Sequence, residues 1–98
     1  MVTWSGAAKA DLRDIFDHIA RDSRFYARKT IEDLVQRSES LLTFPRIGRV
    51  VPEYNLEIIR ELLIESYRVI YELQGDDVEI LAVIHGMRPL PEEFPPRT

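Results

Sequence analysis

Cysteine is absent from the 98 residues, which excludes disulfides and thiolate metal sites. No apolar run approaches the ~20 residues that a membrane helix needs, so no membrane partner is expected. The opening Met1-Val2-Thr3-Trp4 has no basic stretch leading into an apolar one, so no secretory leader is expected and a cytoplasmic location is the simplest reading. Glycine is scarce at four residues. The chain has no P-loop, no Gly-rich dinucleotide turn, no His-Glu-x-x-His and no nucleophile elbow, and no cofactor is implied. His18 and Asp22 stand four apart and can share a helix face, but two ligands do not make a metal site, so none is expected.

What is present fits one small globular domain, residues 1–98. A chain this short buries about 60–68% of its unfolded surface and has a single core. The hydrophobic fraction of 45% is ordinary. Charge divides unevenly: residues 1–48 carry eight Lys/Arg and seven Asp/Glu, whereas residues 49–98 carry five Arg and ten Asp/Glu. With a net charge of −4, the chain as a whole does not favour long-range attraction to nucleic acid. Eleven of the thirteen basic residues are arginine. Its planar fork suits local recognition of phosphate or carboxylate, although genomic composition accounts for the bias equally well.

The first half reads as helix. Ser5 is placed to cap a helix over Ala7–Asp22, in which Ala8, Leu12, Ile15, Phe16 and Ile19 recur at helical spacing. Ser23 is placed to cap a second helix, with Ala27, Ile31, Leu34, Val35, Ser38, Leu41 and Leu42 on one side until Pro45 and Gly48 end it. So short a connection makes the two helices an antiparallel hairpin. The period then changes to that of strands: Leu56–Ile64, Tyr67–Leu73 and Val78–His85, with Glu65-Ser66 and Gln74–Asp77 as turns. The tail from Pro89 holds four prolines and cannot continue a regular element. Helices followed by strands predict an α+β fold, a helical hairpin packed on one face of a small, mainly antiparallel sheet. The other face is then expected to be free.

Charged residues inside the predicted strands stand out. Arg60 lies in Ile-Ile-Arg-Glu-Leu-Leu and Arg68 in Tyr-Arg-Val-Ile-Tyr, while His85 and Arg88 lie in His-Gly-Met-Arg. A charge in mid-strand must reach solvent, a partner or a ligand. One account is a cross-strand ion pair, Arg68 with Glu61 or Glu72 with Arg60. The other is a binding or catalytic face running from Arg60 to Arg88.

The chain resembles the RelE/ParE superfamily of toxins from bacterial type II toxin–antitoxin (plasmid-stabilisation) systems. The likeness rests on Trp4-Ser5 followed by Ala8-x-x-Asp11-Leu12-x-x-Ile15, on Phe44-Pro45-x-x-Gly48-Arg49-x-x-Pro52-Glu53, and on Arg60-Glu61. It continues through Tyr67-Arg68-Val69-Ile70-Tyr71 and Val83-Ile84-His85-Gly86-x-Arg88. The resemblance implies a growth-inhibiting toxin with a cognate antitoxin that wraps it. It also implies two modes of action. RelE-like members cut mRNA in the ribosome, which would make Arg68, His85 and Arg88 catalytic. ParE-like members bind a protein target, DNA gyrase, and are not themselves nucleases. On either branch Arg60, Arg68 and Arg88 are the expected target- or phosphate-binding residues. Two departures favour the ParE-like branch. Pro89-Leu90-Pro91 stands where many ribonuclease members carry an aromatic residue, and the strand half is acidic. An inactive member that only binds its antitoxin is the third alternative.

Overall fold

The structure, a computed structural model, describes residues 1–86, 88 and 90. The proline-rich tail with Phe94, expected to be irregular, lies outside the described residues apart from Leu90. Strand β1 (Val2–Trp4) precedes helices α1 (Gly6–Ala20) and α2 (Arg24–Ser38), and strands β2 (Arg49–Val50), β3 (Ile59–Ile64), β4 (Tyr67–Gln74) and β5 (Asp77–His85) follow. The sheet order is β1-β5-β4-β3-β2. β1 runs parallel to β5, pairing Val2 with Val78 and Trp4 with Ile80, and the other three pairings are antiparallel.

Both predicted caps form. The Ser5 hydroxyl accepts from the Ala8 amide at 3.0 Å, and that of Ser23 from the Tyr26 amide at 3.1 Å. Each satisfies an N–H that has no partner inside its helix. Ser5 also donates to the Leu81 carbonyl at 3.1 Å, which ties the start of α1 to β5. Past the end of β1, Asp11 of α1 accepts from the Val83 amide at 2.9 Å. A side chain thus closes the stretch of β5 that no strand covers among the described residues.

α2 ends earlier than expected. After Ser38 the chain tightens into a 3-10 turn over Glu39–Leu42, and the shorter period rotates the last apolar residues apart. Leu41 is buried, but Leu42 faces solvent. β3 also starts later than the apolar pattern suggested, at Ile59, leaving Leu56 and Ile58 exposed. The Gln74–Asp77 turn is tighter than expected. Gln74 and Asp77 pair directly, and Gly75 sits at φ +65° between them, a conformation that costs glycine nothing.

The helices cover one sheet face, where Ala8, Leu34 and Leu41 pack on Ile64, Val69, Tyr71, Leu73, Val78, Ile80 and Val83. The second face is not free, as had been expected. Val51 and Tyr54 lie over Ile59 and Ile70, joined by Leu81, Ile84 and Leu90. The segment after β2 turns tightly here, with the Asn55 amide donating to the Val51 carbonyl at 2.9 Å and Asn55 at φ +51°. It acts as a strap across the sheet. Between Ile70 and Tyr71 the register to β5 shifts by one residue, leaving Leu81 as the extra residue of a bulge.

Candidate functional site

Strand alternation decides which charged residues meet. Arg60 pairs with Tyr71 and Arg68 with Ile84. Tyr71 belongs to the helix-side core and Ile84 to the strap side. Arg60 and Arg68 therefore project from opposite faces. His85 pairs with Tyr67, which packs on the helix-side core, so His85 and Arg68 are on opposite faces as well. The expected continuous face from Arg60 to Arg88 is divided by the sheet.

Arg68 is 6% exposed and held on both sides. Its Nη1 and Nη2 donate to the two oxygens of Glu53 at 2.7 and 2.9 Å, the bidentate geometry that a planar guanidinium favours. Its Nε donates to Glu61. The Glu61 side chain has no exposure, and its other oxygen accepts from Arg49 Nε at 2.8 Å. The result is an alternating chain, Glu53–Arg68–Glu61–Arg49, with its central pair buried. The Arg68–Glu61 pair anticipated from the sequence is part of it. The alternative pair of Arg60 with Glu72 does not form, because Glu72 is opposite Ile59 and shares the strap-side face. An incoming phosphate would have to displace Glu53 and then sit beside Glu61. Like charges at such short range repel strongly where water is excluded.

The Arg68 guanidinium holds the Glu53 carboxyl down from 4.5 to about 2, and the two glutamates raise the pKa of Arg68. A lowered carboxylate pKa stabilises the fold above the unfolded value. That stability is lost as pH falls through the folded value. Wild-type protein is therefore expected to lose stability between about pH 4.5 and pH 2 more steeply than Glu53→Gln. Urea midpoints measured across that range check the difference.

Arg60 does a different job. It donates to the Gly48 carbonyl at 2.9 Å and the Arg46 carbonyl at 3.4 Å, and it pairs with Glu57. Beneath it the Tyr71 hydroxyl donates to the Pro45 carbonyl at 2.8 Å and accepts from the Gly48 amide at 3.0 Å. Burial raises the pKa of that hydroxyl. Together they clamp the Phe44–Gly48 loop from below, and this loop displays Phe44 and Ile47 to solvent. The Tyr71 clamp was not foreseen. The signal for it was split between two motifs, Pro45 and Gly48 in the first and Tyr71 at the end of the second.

The third cluster is a cleft of about 300 Å³ between α1 and the end of β5. Both histidines of the chain line it, with Asp11, Asp14, Tyr67 and Arg88. His85 meets Tyr67 edge-to-face, with ring centroids 5.7 Å apart. Burial raises the Asp11 pKa, Asp14 adds to the rise, and the Val83 amide and Arg88 oppose it. Burial also raises the Tyr67 pKa. The cleft brings His85 and Arg88 together and leaves Arg68 out. Among the described residues no group of three or more His, Cys, Asp or Glu is placed to hold a metal ion.

No curated protein matches the chain. Among solved structures it is similar to a chain of the chromosomal ParDE toxin–antitoxin system from P. aeruginosa. That match has a TM-score of 0.72 and 24% identity, and covers 86% of this chain and 92% of the other. The likeness is one of fold: two helices on a mainly antiparallel five-stranded sheet. A family model described as the ParE toxin of the type II toxin–antitoxin system, parDE, matches residues 2–90. A match over nearly the whole chain, together with this fold, places the protein in the ParE toxin family of type II toxin–antitoxin systems.

Proposed function

We propose that this toxin inhibits growth by binding a protein target, DNA gyrase being the first candidate, and that it does not cut mRNA. The observation that carries the reading is the placement of Arg68. The residue that a nuclease would need to hold phosphate is occupied by Glu53 and Glu61 and lies across the sheet from His85. A ribonuclease site needs its phosphate clamp and its acid–base group within reach of the same phosphate. The acidic strand half and the overall charge of −4 point the same way, because ribosomal RNA repels such a surface.

In this reading Arg68 and Arg60 hold the strap and the Phe44–Gly48 loop. Arg88 and His85, at the open end of β5, face the target. The cognate antitoxin neutralises the toxin in the cytoplasm. No helix among the described residues is long and apolar enough to cross a membrane.

Induction of the chain under tight control, followed by trapping of gyrase–DNA cleavage complexes, tests the target. Accumulated complexes are expected. Growth arrest without them would remove gyrase as the target, and no arrest from a folded protein would leave only the inactive alternative.

A further inference from the structure

Residues 21–29 run from the end of α1 across the turn and into α2. They contain Arg21, Arg24, Arg28 and Lys29 against a single acid, Asp22, a net charge of +3 in a chain of −4. The remainder of the chain therefore carries −7. All four cations are exposed. None is in an ion pair among the described residues, whose salt bridges involve other residues. Between them stand Phe25, 70% exposed, and Tyr26, 62% exposed. The two rings meet edge-to-face with centroids 5.3 Å apart. A shallow hollow of about 200 Å³ beside them is lined by Phe25, Arg28, Lys29 and Glu32.

Nothing in the fold requires this arrangement. The buried residues of α2 are Ala27, Leu34 and Ser38, so neither ring contributes to the core. The first turn of α2 contains no acid, although acids stabilise a helix N-terminus and cations oppose its dipole. Arg24 and Arg28, four apart on one helix, repel each other. Exposed aromatic rings ringed by unpaired cations are the composition of a recognition surface, where aromatics and arginine supply most of the binding energy.

We propose that this α1–α2 corner is the docking surface for a short acidic segment of the protein that the toxin inhibits, one in which an apolar side chain is flanked by Asp or Glu. The inference rests on the protein-target reading above. The apolar side chain covers Phe25 and Tyr26, and the flanking carboxylates pair with Arg24, Arg28 and Lys29. Charge complementarity selects this occupant. An extended nucleic acid bears a phosphate about every 3.4 Å along each strand. On a molecule measuring 38 × 30 × 23 Å it would soon leave the basic corner for surface carrying −7. The antitoxin has a more suitable surface elsewhere: Leu42, Phe44 and Ile47 are all exposed, beside a hollow of about 440 Å³ lined by residues 43–47. Permanent partners favour such apolar surface, whereas a basic corner suits a salt-sensitive encounter.

The test uses the full chain and a fluorescent dodecapeptide of Asp and Glu around one central Phe, with a thymidine dodecamer as the competing class. Anisotropy is expected to show peptide binding that weakens with salt and falls at least tenfold in Arg24→Glu/Arg28→Glu. Phe25→Ser/Tyr26→Ser is expected to weaken it comparably. Both variants change exposed residues only, and an unchanged thermal midpoint confirms that they fold. In cells the charge-reversed variant is expected to lose growth inhibition. Absent peptide binding, tighter binding of the oligonucleotide, or full toxicity of the variant would each overturn the proposal. A variant that stays toxic but escapes its antitoxin would overturn it by assigning the corner to the antitoxin. Failure of the protein-target reading itself would be distinguishable, because wild-type protein would then produce cut mRNA.

Discussion

Arg68→Ala is expected to destabilise the fold by about 3–5 kcal/mol, the usual cost of removing one partner from a buried ion pair. The Glu61 side chain, fully shielded from water, would keep only Arg49, and Glu53 would lose the group that fastens the strap. A domain of this size is stable by only about 5–15 kcal/mol, and each kcal/mol shifts Tm by about 4–8 °C. Heating followed by circular dichroism reads the loss directly. The double variant Arg68→Met/Glu61→Leu is expected to recover much of it, because a well-packed apolar pair can replace a buried ion pair at little cost. A phosphate-binding arginine would behave in the opposite way, with Arg68→Ala leaving stability intact and removing only activity.

Gly48→Ala is the second large effect. A Cβ at that position would lie 2.5 Å from the Tyr71 hydroxyl oxygen and 2.6 Å from the Glu61 carbonyl oxygen. Tyr71 is fully buried, and the carbonyl belongs to β3, so neither neighbour can move without disturbing the sheet. Overpacking of this kind costs about 1–3 kcal/mol, and occasionally more. Here the displaced hydroxyl would also leave the Pro45 carbonyl and the Gly48 amide unpaired, at about 1–3 kcal/mol for a buried group. Gly48→Ala is expected to lose more stability than Tyr71→Phe, which removes the hydrogen bonds without adding a clash. Urea midpoints of the two variants compare them.

Much of the fold was legible because it is encoded locally. The Ser5 and Ser23 caps, the helical stripe from Ala8 to Ile15 and the alternation of Tyr67–Leu73 all reflect neighbours a few residues apart. The features that were missed are long-range. Parallel pairing of β1 with β5 joins residues 76 apart, and three residues around Trp4 carry no sign of it. β2 is two residues long, too short for any period to show. The strap over the second face depends on Glu53 reaching Arg68, fifteen residues onward, through a Val51–Asn55 turn whose Pro52 marks a bend but not where it leads.

The site was legible in part for the same reason. Arg60, Arg68, His85 and Arg88 could be singled out as charged residues in or beside strands, and they sit in ion-pair, clamp or cleft positions. Their grouping was not legible, because a face assignment requires strand register. Arg60 opposite Tyr71 and Arg68 opposite Ile84 separate two arginines that looked alike in sequence. Once the register is known, burial divides them further. Arg68 is enclosed by acids, Arg60 clamps a loop, and Arg88 is exposed.

The central claim is that this toxin works by binding and not by cleaving RNA, and mapping mRNA 5′ ends after induction tests it most directly. Intact messages during growth arrest are the predicted result. Codon-positioned cuts in wild-type cells that disappear in a folded His85→Ala variant would contradict it.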